Sequence, residues 1–137
     1  MANDKAQMSN QIPNPNVKKI YDLSERTARF GECVIDFVKT LPTNQINQPL
    51  ISQIIRSGTS VGANYMEADG ADSKKDFLHK IGLCKRESKE TQHWLRMIAH
   101  ANPSLQENCR NLWREAHELT LIFSKIGQSR HQNNSSI

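Results

Sequence analysis

The chain has 137 residues, of which 36% are hydrophobic, 6% aromatic and 23% charged. A chain of this length suits a single domain, and the scarcity of aromatic residues predicts a mostly aliphatic core. No apolar run approaches the roughly 20 residues that a membrane-spanning helix needs, which excludes such a helix. The N-terminal residues 1–16 lack the apolar centre of a secretory signal, so we expect the protein in the cytoplasm.

The net charge of +4 is concentrated in one part of the chain. Residues 72–99 contain seven Lys or Arg residues and four Asp or Glu residues, whereas residues 1–71 contain equal numbers of the two classes. A local excess of positive charge weakly favours an acidic partner. A solvated helix face explains the same pattern almost as well.

The first predicted element is a helix that follows a polar segment. Residues 1–16 are rich in Asn, Gln and Pro and are predicted to be disordered. The helix is predicted to begin at Val17 or Asp22, and its large apolar residues recur at three- and four-residue steps. It is predicted to end at Leu41, because Pro42 disfavours a helical conformation in the residue before it.

The second helix is predicted to begin near Pro49 and to end at Glu67 or Ala68, with Gly70 as an end signal. Its middle contains RSGTSVGANYMEA, a run of small and weakly helical residues. One stripe predicts a core face: Leu50, Ile54, Gly58, Val61, Tyr65 and Ala68. A glycine in mid-helix costs about 0.5–1 kcal/mol relative to alanine, so we expect close packing of a neighbouring helix to compensate for it.

A second stripe of the same helix is polar and contains Arg56, Ser60, Asn64 and Glu67. Two interpretations of it stay open. It is either a solvated face or a polar network, buried or at a subunit interface, for which Glu87 and Glu90 are candidate partners. A buried network must be fully satisfied, since each missing partner leaves a desolvated polar group.

The third helix is predicted to be capped by Ser73, with Asp76 three residues later, and to continue to about Ile98. Its apolar and small residues alternate steps of four and three: Phe77, Ile81, Cys84, Ser88, Thr91, Leu95 and Ile98. This spacing predicts a heptad-like seam that faces the other helices.

The fourth helix is predicted to be capped by Asn102 or Ser104 and to end at Ile126. Gly127 is its predicted stop, and residues 127–137 are predicted to be disordered. A seam of the same kind contains Leu105, Cys109, Leu112, Ala116, Leu119, Phe123 and Ile126. Residues 17–126 are therefore predicted to form an all-α, up-down antiparallel four-helix bundle.

Few side chains suggest reactive chemistry. Cys33, Cys84 and Cys109 form no C-x-x-C pair, and each is predicted to be a buried, reduced thiol. Glu90 and His93 have the Glu-x-x-His spacing of di-iron bundles, but no other helix repeats it. We therefore predict neither a metal nor another cofactor, and no catalytic residues.

The basic residues of the third helix are candidates for binding nucleic acid. The candidates flank or lie opposite the seam: Lys80, Lys85, Arg86, Lys89, His93 and Arg96. Basic side chains at repeated intervals suit phosphate contacts. The alternative is a solvated face with ion pairs within the helix. No aromatic residue interleaves with the basic ones, so stacking on single-stranded bases is not expected.

Several segments occur in a specific order: DLSERTARF, LP, RSGTSVGANYMEA, SKKDFLHKI and KRESKETQHWL, followed by an amphipathic helix. Over residues 20–126 they resemble the four-helix bundle proteins of the 23S ribosomal RNA intervening-sequence family. The accessory variability determinant proteins of diversity-generating retroelements look like relatives. The family pattern falls on Arg56, Ser57, Ser60, Asn64, Glu67, Phe77, Lys80, Glu87, Glu90 and Trp94. Arg86 adds a positive charge where the family usually has alanine before its acidic residue.

The resemblance implies an up-down bundle that is often a ring-shaped homopentamer and has no established enzymatic activity. It also implies partners, because the retroelement relatives bind nucleic acid and a reverse transcriptase through a basic surface. The leading hypothesis is thus an accessory, non-enzymatic homo-oligomer that binds RNA or DNA through its third helix. The alternative is a protein-interaction or scaffold bundle without a nucleic-acid role.

Overall fold

A computed structural model describes the backbone of residues 22–135 and the side chains of residues 22–128. Residues 22–135 contain four helices: α1 (Leu23–Val38), α2 (Asn47–Asp69), α3 (Lys74–Ala101) and α4 (Gln106–Ser135), with a 3₁₀ turn (Pro103–Leu105) before α4. No strand occurs in residues 22–135, and the predicted all-α four-helix bundle is confirmed. The predicted disordered segment 1–16 and the alternative start at Val17 lie outside the described residues.

Contacts between successive helices show that they run antiparallel. Glu67 near the end of α2 contacts Lys80 near the start of α3, while Asn47 at the start of α2 contacts Asn102 just after α3. Gln92 of α3 likewise accepts a hydrogen bond from Thr120 of α4. None of the helices in the described part of the chain combines the length and the apolar character needed to cross a bilayer.

Side-chain caps set several of the helix ends. Ser73 Oγ accepts from the N–H of Asp76 at 3.1 Å, as the sequence predicts. Helix α2 begins two residues before Pro49, because Asn44 Oδ1 accepts from the N–H of Asn47 at 2.8 Å. Such a contact satisfies a backbone donor that has no partner within the helix.

The prediction that Gly127 stops the fourth helix is wrong. Helix α4 continues to Ser135, so it includes most of the segment 127–137 that was predicted to be disordered. No glycine in the described residues has a positive φ, so Gly127 does not adopt the left-handed conformation of a helix stop. No proline follows it to break the helix.

The predicted seams of α3 and α4 form the core. Six of the seven predicted residues of α3 are buried: Ile81, Cys84, Ser88, Thr91, Leu95 and Ile98. On α4, the buried seam residues are Cys109, Ala116, Leu119 and Phe123. The other seam residues, including Phe77, Leu112 and Ile126, are half-buried and pack against this core. The heptad-like spacing therefore identifies the inward faces.

Small residues let α1 and α2 approach closely. A Cβ atom on Gly58 would lie 3.0 Å from Val34 Cγ2, and one on Gly62 would lie 3.3 Å from the backbone of Thr27. A Cβ atom on Gly31 would lie 3.5 Å from the Cα atom of Thr59. The expected close packing is confirmed, and α1 is the helix that packs there.

The contact between α1 and α4 is much smaller than the contacts between successive helices. It is bridged by Arg26, whose Nε contacts Glu115 Oε2 at 2.8 Å and whose Nη2 contacts Glu118 Oε1 at 3.2 Å. The hydrogen bond from Arg26 to Glu115 raises the pKa of the Arg26 guanidinium, which stays protonated. An ion-pair cluster thus joins the first and last helices.

The prediction of three buried thiols is wrong for Cys33. Cys84 and Cys109 are 0% and 3% exposed, and burial raises their pKa values to about 12 and about 11. Cys33 is exposed, because the inward face of α1 contains its neighbour Val34 instead.

We expect iodoacetamide to alkylate only Cys33 in the folded protein at about pH 8, because the thiolate is the reacting species. Cys84 and Cys109 keep their protons at this pH and are shielded from the reagent. Mass spectrometry after a short reaction should find one modified residue, and three in urea. A Cys33→Ser variant should stay unmodified when folded, and rapid labelling of Cys84 would contradict this core.

Candidate nucleic-acid interface

Ion pairs connect α2 with α3. The Arg56 guanidinium contacts Glu87 Oε1 at 3.2 Å and also contacts the Glu90 carboxylate. Trp94, one turn after Glu90 in α3, donates from Nε1 to Glu90 Oε2 at 2.9 Å, so the Glu90 carboxylate has a second partner. The Arg56 side chain is 45% exposed, whereas that of Glu87 is only 16% exposed. The cluster therefore lies at the edge of the helix interface, neither buried nor freely solvated.

The remaining residues of the polar stripe behave differently from one another. Ser60 Oγ and Asn64 Nδ2 donate to backbone carbonyls one turn earlier in α2. Glu67 contacts Lys80 Nζ at 2.5 Å, and this hydrogen bond raises the pKa of Lys80. The stripe thus contains two interhelical contacts, at Arg56 and Glu67, and two residues with hydrogen bonds inside α2.

The buried polar contact between α2 and α3 lies beside this stripe. Thr91 Oγ1 donates to Ser57 Oγ at 2.8 Å, and both residues are 0% exposed. Sequence reasoning placed Thr91 on the seam and Ser57 in the family pattern but did not pair them. The polar residues within an otherwise apolar seam are the signal that could have indicated such a contact.

The outward face of α3 is basic. Exposed positions recur at steps of three and four: His79, Gly82, Arg86, Lys89, His93, Arg96 and His100. Four predicted site residues belong to this face, and we call them the outer basic stripe: Arg86, Lys89, His93 and Arg96. Lys85 is half-buried beside the stripe. Lys80 lies away from it, where it pairs with Glu67.

The charges of α3 are separated by face. Glu87 and Glu90 contact Arg56 of α2, so they do not neutralise the stripe. Within the described residues, no ion pair joins Arg86, Lys89 or Arg96 to a carboxylate. Ten residues of helix separate Arg86 from Arg96, which places the ends of the stripe about 15 Å apart.

An aromatic side chain from another helix lies beside the stripe. Trp113 of α4 is 39% exposed and stacks on His117 with ring centroids 5.1 Å apart. Trp113 and Arg96 line the same groove between α3 and α4. Nothing in the sequence pairs these two residues, because the packing of α4 on α3 alone brings them together.

The described side chains form no candidate metal site. Among residues 22–128, no group of three or more His, Cys, Asp and Glu side chains could hold a metal ion. Glu90 contacts Arg56 and Trp94, and His93 lies on the outward face. The Glu-x-x-His spacing thus arises from two residues with separate surroundings.

Comparisons with known proteins agree with this architecture. A family model described as 23S rRNA-intervening sequence protein matches residues 19–125. The chain belongs to this family. A crystal structure of a protein of unknown function, from the S23 ribosomal protein family of Bacteroides thetaiotaomicron VPI-5482, is 27% identical with a TM-score of 0.67. That comparison covers 76% of this chain and 96% of the other. No curated protein sequence matches the chain.

Membership of the family accounts for the fold that this chain shares with the Bacteroides protein. The 23S rRNA-intervening sequence protein family has no settled function. The likeness to the retroelement accessory proteins stays a prediction.

Proposed function

We propose that this protein is a non-enzymatic accessory protein of the cytoplasm that binds RNA or DNA as a homo-oligomer. The observation that supports it most is the separation of charge on α3. Arg56 engages the acidic residues Glu87 and Glu90, so the outer basic stripe keeps its positive charge without a counter-ion from the protein. Nucleic-acid phosphates would supply that counter-ion.

The outer basic stripe suits binding without sequence preference. Arg86, Lys89 and Arg96 present cations along one face of a straight helix, which matches the repeating phosphates of a nucleic-acid backbone. All four residues of the stripe are exposed. We expect a modest affinity for one subunit, which several linked copies would raise.

The homo-oligomer, with a pentamer favoured, is part of the proposal. It is supported by large apolar side chains that the described bundle leaves exposed, including Met66 at 72% and Ile46 at 65%. Association of copies would bury such residues. Sedimentation equilibrium measures the mass directly, and a monomer at micromolar concentration would contradict this part of the proposal.

Reversing the three fixed charges of the stripe, as Arg86→Glu, Lys89→Glu and Arg96→Glu together, should weaken binding about 100-fold or more at low salt. The variant removes phosphate contacts and adds repulsion. Fluorescence anisotropy with labelled single- and double-stranded oligonucleotides, between about 50 and 200 mM salt, measures both the affinity and its salt dependence. The slope of log affinity against log salt should fall by about one for each lost contact.

A matched control reverses three exposed basic residues on other helices or their ends, as Arg29→Glu, Lys39→Glu and Lys125→Glu together. This variant has the same net charge as the stripe variant, so it should lose far less affinity if the stripe makes the contacts. Equal losses in the two variants would show that only net charge matters. Failure of the unmodified protein to bind any oligonucleotide would reject the proposal in favour of the protein-interaction or scaffold alternative, including a reverse transcriptase as partner.

A further inference from the structure

The groove between α3 and α4 has a composition that suits a nucleotide. It has a volume of about 460 Å3, within the roughly 300–1,000 Å3 typical of small-ligand sites. Apolar side chains, among them Leu95, Cys109 and Trp113, line its walls. Three arginines, Arg96, Arg110 and Arg114, also line it, and no carboxylate does.

The arginines of the groove come from both helices. Arg96 is the last residue of the outer basic stripe on α3, so the groove continues the stripe. Arg96 and Arg114 form no ion pair with the described residues, and Arg110 contacts only the exposed Glu107, at 3.4 Å. A guanidinium group binds phosphate through two parallel hydrogen bonds. The groove therefore presents phosphate-binding groups on both sides of an apolar floor.

Trp113 stacks on a neighbouring ring of the same helix. His117, one turn later in α4, stacks on the indole with an angle of 15° between the ring planes. Trp113 itself lines the groove, so it offers an aromatic surface to an occupant.

We propose that this groove binds a base of single-stranded nucleic acid. The base contacts Trp113 and the apolar floor, while Arg96, Arg110 and Arg114 bind the adjoining phosphates. This inference rests on the proposed function and adds a base-dependent contact to it. Every base has an apolar face, so such a site tolerates different sequences but distinguishes single strands from duplexes, whose bases are already stacked.

The test compares two labelled oligonucleotides of equal length and charge: a single-stranded oligothymidylate, and the same backbone with abasic sites in place of the bases. The unmodified protein should bind the oligothymidylate about tenfold more tightly. Trp113→Ala should remove this preference and leave the affinity for the abasic strand unchanged. Trp113→Phe should keep part of the preference, and it also serves as the folded comparison if circular dichroism shows that the alanine variant loses helix.

A control variant, Trp94→Phe, alters the tryptophan that contacts Glu90 on the side of α2. It should keep the preference for the oligothymidylate.

Each contrary result has a distinct meaning. Equal affinities of the unmodified protein for the two strands would overturn the groove inference while the phosphate-binding stripe stands. Absence of binding to both would overturn the stripe as well. One result would assign the groove to a second copy of this chain: a smaller sedimentation mass for Trp113→Ala than for the unmodified protein.

Discussion

Replacing Gly58 by leucine is expected to lower the free energy of unfolding by about 3 kcal/mol or more. Even a single Cβ atom at this position would lie 3.0–3.3 Å from three side-chain atoms of Val34. Val34 is 0% exposed and has a β-branched side chain, so it cannot easily rotate away. The larger side chain must push α1 away from α2. Urea denaturation followed by circular dichroism measures the loss.

The matched control is the same substitution at Gly82, Gly82→Leu. Gly82 also lies inside a helix, but a Cβ atom there would meet nothing within 4 Å. Leucine should therefore raise the free energy of unfolding by about 0.5–1 kcal/mol through helix propensity alone. Similar effects at the two positions would show that the approach of α1 does not explain the glycine at position 58.

Asn47→Ala should lower the free energy of unfolding by about 2–4 kcal/mol. Asn47 is 1% exposed, and its Nδ2 donates to the carbonyl of Pro42 at 2.9 Å and to Asn102 Oδ1 at 3.0 Å. In return, Asn102 Nδ2 donates to Asn47 Oδ1 at 2.9 Å. Alanine breaks this reciprocal pair and leaves the Asn102 amide buried with fewer partners. Thermal and urea unfolding of the purified variant measure the change.

Asn64→Ala is the control for the asparagine side chain. Asn64 is half-buried, and its amide donates to Ser60 O within the same helix. Removing it should change the free energy of unfolding by about 0.5 kcal/mol or less.

A double-mutant cycle tests whether Asn47 and Asn102 depend on each other, because Asn47→Ala should lower the free energy of unfolding less once Asn102→Ala is present. Strictly additive losses would mean that the two amides do not depend on each other.

The fold could be predicted because its signals are local. Ser73 and Asp76, three residues apart, mark the start of α3 through a hydrogen bond between them. The heptad-like spacing identifies the inward faces of the helices. The glycines of α2 predicted a close neighbour but not which helix it would be. That required the path of the chain, which places Val34 opposite Gly58.

The candidate site was harder to predict because it depends on which side chains meet. Helical periodicity gave the outer basic stripe. Glu87 and Glu90 were predicted as partners for Arg56 and Asn64, but they contact Arg56, whereas Asn64 bonds within its own helix. The neighbourhood of Arg96 and Trp113 could not be predicted, because these residues lie on different helices and no local pattern links them. A glycine near a predicted helix end is an equally ambiguous signal. The helix continues through Gly127 to Ser135, because glycine ends a helix only where other groups turn the chain.

The small contact between α1 and α4 determines which helix should unfold first. Proteins exchange their amide hydrogens earliest where few contacts hold an element in place. Helix α1 has one extensive neighbour, α2, whereas its junction with α4 is small and bridged by Arg26. The Arg26 side chain is only 12% exposed, so salt screens its ion pairs weakly, and the amide hydrogens of α1 should exchange earlier than those of the other three helices at low and at high ionic strength. The three-helix remainder would keep the outer basic stripe and the groove intact.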